Sequence, residues 1–286
     1  MSRKRGNFNL SDSFEYWSPG WLGVLGLLFW LLVGVLLGNG VTLMLTNWLG
    51  SEIVLNYGIL LSYVVMFIPP MIFASYKSRK KELTEIGARS SKLDRNNFAP
   101  LGWVVCLLLV AVATFASGVV SDLINSIMPP MPEYLKETLE NMTDGVLWVN
   151  FLSVCIFAPV FEEWLCRGMV LRGLLDHKVK PVWAILASAV FFGLIHGNIW
   201  QMVPAILVGA LMGYVYYKTR SLKLTMLMHF TNNGIALLTS HIDAFKDADT
   251  WMDVLGNMYW PMFAACVIIL ALFFLAFKKI QPSKSF

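Results

Sequence analysis

Residues 21–48 read WLGVLGLLFWLLVGVLLGNGVTLMLTNW, 28 positions without one acidic, basic or histidine side chain. As a helix this run is about 42 Å long, more than the roughly 30 Å of hydrocarbon in a bilayer. Seven further apolar segments follow at about 53–76, 101–127, 146–172, 181–196, 201–217, 222–241 and 258–277. Composition agrees with this reading. Of 286 residues, 57% are apolar and 14% charged, against about 25% charged in soluble proteins. Mean hydropathy is +0.63. A soluble globular domain, a nucleic-acid binder, a disordered chain and a disulfide scaffold are excluded. The expectation is an all-α, polytopic membrane protein. A single transmembrane domain over 1–286 has eight transmembrane helices, and its solvent is the lipid bilayer.

Loop charge sets the orientation. Basic residues gather at Arg3, Lys4 and Arg5, in the loop 77–100, in 167–180, in 218–223 and in the tail, which together hold 20 of the 22 Lys and Arg. The opposite loops keep Lys136 and Lys246 amid Glu133, Glu137, Glu140, Asp144, Asp243, Asp247, Asp249 and Asp253. The positive-inside rule places both termini in the cytoplasm, in the plasma (inner) membrane if the protein is bacterial. The first apolar run reads as a retained anchor, since no small-residue cleavage site follows it closely. Loops 77–95, 133–144 and 243–253 read as solvated faces, and Trp17, Trp21, Trp48 and Trp260 as interfacial residues. Pro69-Pro70 is expected to bend or break the second span. Cys106, Cys155, Cys166 and Cys266 lack metal-type spacing and read as small packing residues.

Ionisable groups inside apolar spans are costly, so each is a functional candidate. The fourth segment reads PVFEEWLCRG from Pro159 to Gly168. Glu163 and Arg167, four apart, share a helix face and can pair. Glu162 points about 100° away and is left available. Pro159 cannot donate to the carbonyl of Cys155, so a kink is expected. The plain alternative is that both glutamates cap a helix near the interface. The fifth segment ends FFGLIHGNIW, with Phe192 and His196 one turn apart. In the seventh, His229 and Asn233 are one turn apart on one face, suited to donating two hydrogen bonds to one oxygen. His177 and His241 read as surface residues.

EEWLCRG (162–168), FGLIH (192–196) and HFTNN (229–233) resemble, in order, the EExxxR, FxxxH and HxxxN motifs of one family. The resemblance is to the CPBP intramembrane endopeptidases, which include type II CAAX prenyl proteases and bacterial bacteriocin-processing and immunity proteins. It covers about 146–240 and implies a catalytic cavity inside the membrane. It further implies that Glu162 and His196 activate the attacking water and that His229 and Asn233 hold the oxyanion. Glu163 and Arg167 would hold the fourth helix, and Phe192 would pack under His196. The buried carboxylate beside an imidazole fits general-base work, and pre-aimed donors fit oxyanion stabilisation. Glu162, His196 and His229 are also the donor types of a catalytic zinc site, so glutamic and metal-dependent schemes stay open, with the metal-free one favoured.

The expected function is therefore hydrolysis of a peptide bond in a membrane-associated peptide or protein, lipidated or not. The alternative is a catalytically silent membrane scaffold or regulator of a membrane partner. A transporter is disfavoured by the lack of paired repeats.

Overall fold

The computed structural model describes residues 13–143, 146–246, 248 and 250–282; Arg3, Lys4, Arg5, Asp144, Asp247, Asp249 and Lys284 lie outside them. Among the described residues the regular structure is all helical. Helix α1 (Trp21–Leu49) is followed by α2 (Ser51–Thr84), α3 (Trp103–Asn125) and a short outer helix α4 (Glu133–Thr143). A continuous helical rod, α5 (Leu147–Asp176), then leads to α6 (Pro181–Leu194), α7 (Ile199–Thr219) and α8 (Leu222–Thr239). The chain ends in two short helices, α9 (Asp243–Lys246) and α10 (Trp251–Leu255), and in α11 (Tyr259–Lys278).

Among the described residues six helices, rather than eight, are long and apolar enough to cross a membrane. Both exceptions have a physical reason. Helix α6 has 14 residues, about 21 Å of rise. Helix α8 has 18 residues but carries His229, Thr231, Asn232 and Asn233, which lower its hydropathy. These two helices carry or flank His196, His229 and Asn233. The expected break at Pro69-Pro70 is absent, because α2 runs through both prolines. Phe67 and Ala74 on either side are fully buried, so packing holds a helix whose ladder lacks two donors.

Small residues let the first two helices meet. A Cβ added at Gly34 would fall 1.9 Å from the carbonyl oxygen of Met66, and one at Gly38 would fall 2.9 Å from that of Ser62. This Gly-xxx-Gly stripe brings the α1 and α2 backbones into contact, the usual way helices associate where lipid removes the hydrophobic drive.

The basic segments converge on one end of the bundle. Arg172 donates to the carbonyls of Phe14, Trp17 and Ser91. Arg220 donates to Ser91 Oγ at 2.9 Å and to the carbonyl of Lys92 at 3.1 Å. The Arg95 amide donates to the carbonyl of Arg220, and Asn97 Nδ2 donates to the carbonyl of Gln281. Lys218 Nζ donates to the carbonyl of Lys278. One sequence expectation is corrected here. The 77–95 stretch is not uniformly solvated, since Leu93 is buried and accepts from the Tyr216 hydroxyl. Arg167, Arg172 and Arg220 are fully buried and bonded. A guanidinium forked over several carbonyls pairs its N–H donors with their acceptor oxygens, which is how such burial is tolerated. His177 and His241 lie exposed, as expected.

Candidate active site

The site is built on the middle of α5, which is wound unusually. Phe151–Phe157 and Trp164–Leu171 are π-helical, and a six-residue α-helical insert, Ala158–Glu163, lies between them. Glu162 and Glu163 end that insert. Wide turns cost backbone hydrogen-bond geometry and occur mostly where they re-aim side chains.

The two neighbouring glutamates face different helices. Glu162, 8% exposed, accepts a hydrogen bond at Oε1 from the hydroxyl of Tyr63 on α2. Its Oε2 is buried and has no protein partner. Glu163 is fully buried and faces α8. Its Oε1 accepts from Arg167 NH1 at 2.7 Å and from His229 Nδ1 at 3.2 Å. Arg167 also donates through NH2 to the Gly209 carbonyl of α7 at 2.9 Å and lies over the Phe192 ring at 4.6 Å from its centroid. A Cβ on Gly209 would stand 3.0 Å from the Phe192 ring and 3.3 Å from that guanidinium, so the close approach of α7 needs glycine there.

Phe192 is the hub between the two histidines. Its ring meets His196 edge-on at 5.2 Å and His229 edge-on at 5.3 Å. His196 lies in the turn after α6, two residues beyond the helix end rather than closing it. Its Nδ1 is 2.9 Å from the carbonyl oxygen of Phe192, which fixes the ring and leaves Nε2 to point elsewhere.

Asn233 and His229 bond to different partners within the protein. Asn233 Nδ2 donates to the carbonyl of Val154 at 2.8 Å, while Asn232 Nδ2 donates to Asn233 Oδ1 at 3.2 Å. The π register explains the first bond. The Ala158 amide donates to Ser153, five residues back, so the donor due to Val154 would be Pro159, which has none. The carbonyl that proline deprives is therefore that of Val154, not of Cys155, and the Asn233 amide supplies the missing donor. A carboxamide carries two N–H groups, so this bond uses one of them.

The zinc reading can be tested on this geometry. Each histidine turns Nδ1 to a protein acceptor, as metal-bound histidines do. Yet among the described residues no three His, Cys, Asp or Glu side chains converge closely enough to hold a metal ion. Glu162, His196 and His229 therefore do not form a tetrahedral ligand set here.

Tyr63 and Val154 were not singled out by sequence. A tyrosine in an apolar span is not ionised and carries no sequence signal, although a phenol needs a partner when buried. The second contributes only main chain; its signal was Pro159 taken with an i+5 ladder.

Neither a curated protein nor a solved structure matches the chain. The family comparison covers residues 144–235, close to the core of 146–240 expected from the motifs, and within that stretch lie Glu162, Glu163, Arg167, Phe192, His196, His229 and Asn233. Residues 144–235 match the family model described as type II CAAX prenyl endopeptidase Rce1-like.

Proposed function

We propose that this protein is an intramembrane endopeptidase that hydrolyses a peptide bond of a membrane-associated peptide or protein, with or without a lipid group, and does so without a metal. The observation that carries the reading is Glu162: a carboxylate buried mid-helix, one oxygen held by Tyr63 and the other without a protein partner. A buried acceptor left unpaired costs stability, and a base awaiting water accounts for that cost.

In this scheme Glu162 Oε2, aided by His196, takes a proton from water as the water oxygen attacks the scissile carbonyl carbon. The tetrahedral oxyanion is held by His229 and by the second N–H of Asn233. With His229 Nδ1–H donated to Glu163, its Nε2 donates to the oxyanion only when the ring carries both protons. The C–N bond then breaks, and the proton held by Glu162 passes to the leaving amine. Glu163 and Arg167 hold α5 and α7 in place around this chemistry, and Phe192 supports both imidazoles. The whole chain, 1–286, forms one membrane domain, with both termini on the cytoplasmic side, a reading supported by the gathering of basic segments at one end.

A silent scaffold is the competing reading, and the bonds His229 and Asn233 make within the protein suit it. The experiment is a survey of new peptide N-termini in membranes holding the wild-type protein or Glu162→Gln. Termini that appear only with the wild type support the endopeptidase; identical profiles favour the scaffold.

A further inference from the structure

The residue that touches the Glu162 carboxylate through its own hydroxyl comes from outside the family-matched stretch. Tyr63 lies on α2, 99 positions before Glu162 in sequence, and its hydroxyl donates to Oε1. Its ring is fixed by aromatic packing. Tyr63 lies 5.5 Å from Phe67 and 6.5 Å from Phe161, and Phe67 stacks on Phe161 at 5.2 Å with an interplanar angle of 15°. Phe161 immediately precedes Glu162, so the packing that orients the phenol is joined to the helix bearing the carboxylate. Around Glu162, Tyr63 approaches from α2, and Cys166, Glu163 and Arg167 follow on α5. Of these, Glu163 and Arg167 are bonded to each other.

A carboxylate on a two-carbon stem rotates, and a base that wanders by an ångström loses rate. A donor on Oε1 pins the group and leaves Oε2 as the oxygen presented to water. We infer that Tyr63 is a positioning residue for the proposed hydrolysis: its hydroxyl holds Glu162 Oε1 so that Oε2 takes the proton of the attacking water. This rests on the endopeptidase reading. It gives α2, which the family match does not reach, a place in the site.

The test uses the full chain in liposomes, with a farnesylated CAAX peptide, its unprenylated counterpart and peptides built on the new N-termini found in membranes. Wild type, Glu162→Gln, Tyr63→Phe and Phe67→Leu are compared by kcat, KM and melting temperature. Tyr63→Phe keeps the ring, so kcat should fall about tenfold or more while KM stays within about twofold and the melting temperature barely moves. Phe67→Leu loosens the packing without removing the hydroxyl, so its melting temperature should fall and its kcat should fall by less than that of Tyr63→Phe. Should Tyr63→Phe not fold, 3,5-difluorotyrosine at position 63 keeps ring and hydroxyl; as a stronger donor it should lower kcat without shifting the melt. Wild-type kcat in Tyr63→Phe or in the fluorinated protein, with Glu162→Gln inactive, overturns this inference and leaves the endopeptidase reading standing. So does a Tyr63→Phe that loses kcat and stability together, as a packing defect would. Cleavage by Glu162→Gln at the wild-type rate, or no cleavage by the wild type, overturns both.

Discussion

The side-chain amide of Asn233 donates a 2.8 Å hydrogen bond to the main-chain carbonyl of Val154, across the gap between α8 and α5. That bond ties the third sequence motif to the irregular winding of the helix that carries the first. A buried carbonyl left without a donor costs about 1–3 kcal/mol. Asn233→Ala should therefore lower stability by about that amount. In a Pro159→Ala background position 159 regains an N–H that can reach Val154, so the same Asn233→Ala change should cost less. Melting temperatures of the four proteins in detergent close this double-mutant cycle; equal costs in both backgrounds would break the link between proline and asparagine.

The Glu163–Arg167 pair offers a second cycle. Both side chains are fully buried and 2.7 Å apart, and Glu163 also faces His229. Breaking such a pair from one side leaves an uncompensated charge and costs about 3–5 kcal/mol. Glu163→Gln and Arg167→Met should each show lower melting temperature and abundance, and the double variant should recover part of the loss. Cleavage should stay impaired in the double variant, because His229 still lacks its carboxylate partner.

Orientation is tested by labelling. Lys80 is exposed near the end of α2, and Lys136 sits on α4. A membrane-impermeant thiol reagent applied from outside should modify a cysteine replacing Lys136 and spare one replacing Lys80. The reverse pattern would turn the protein over.

Metal dependence has its own readout. Purified protein treated with a strong chelator should keep its cleavage rate, and elemental analysis should find no stoichiometric zinc. Loss of rate restored by added zinc would recast Glu162, His196 and His229 as ligands and require them to move together.

Much of this arrangement was legible in the chain because periodicity and cost are local. Residues 21–48 had to be helical in a bilayer, and Glu163 four residues before Arg167 had to share its face. Three features were not legible. The π turns on either side of Ala158–Glu163 shift the register by one, and that shift moved the deprived carbonyl from Cys155 to Val154. Burial of Arg172 and Arg220 depends on the main chain of Phe14, Trp17, Ser91 and Lys92 folding back over them, a long-range event no window reveals. The Tyr63–Glu162 contact likewise joins α2 to α5 across a sequence gap that helix periodicity cannot bridge.

The central claim is the division of labour between two adjacent glutamates, and Glu162→Gln tests it most directly. Gln fills nearly the same space and still accepts from Tyr63, but it cannot take a proton from water. The measurement is cleavage of one membrane peptide by the purified variant in liposomes, read beside its melting temperature. The account predicts a wild-type melt, normal abundance and no cleavage above the uncatalysed background. A Glu162→Gln protein that cleaves at the wild-type rate would contradict it.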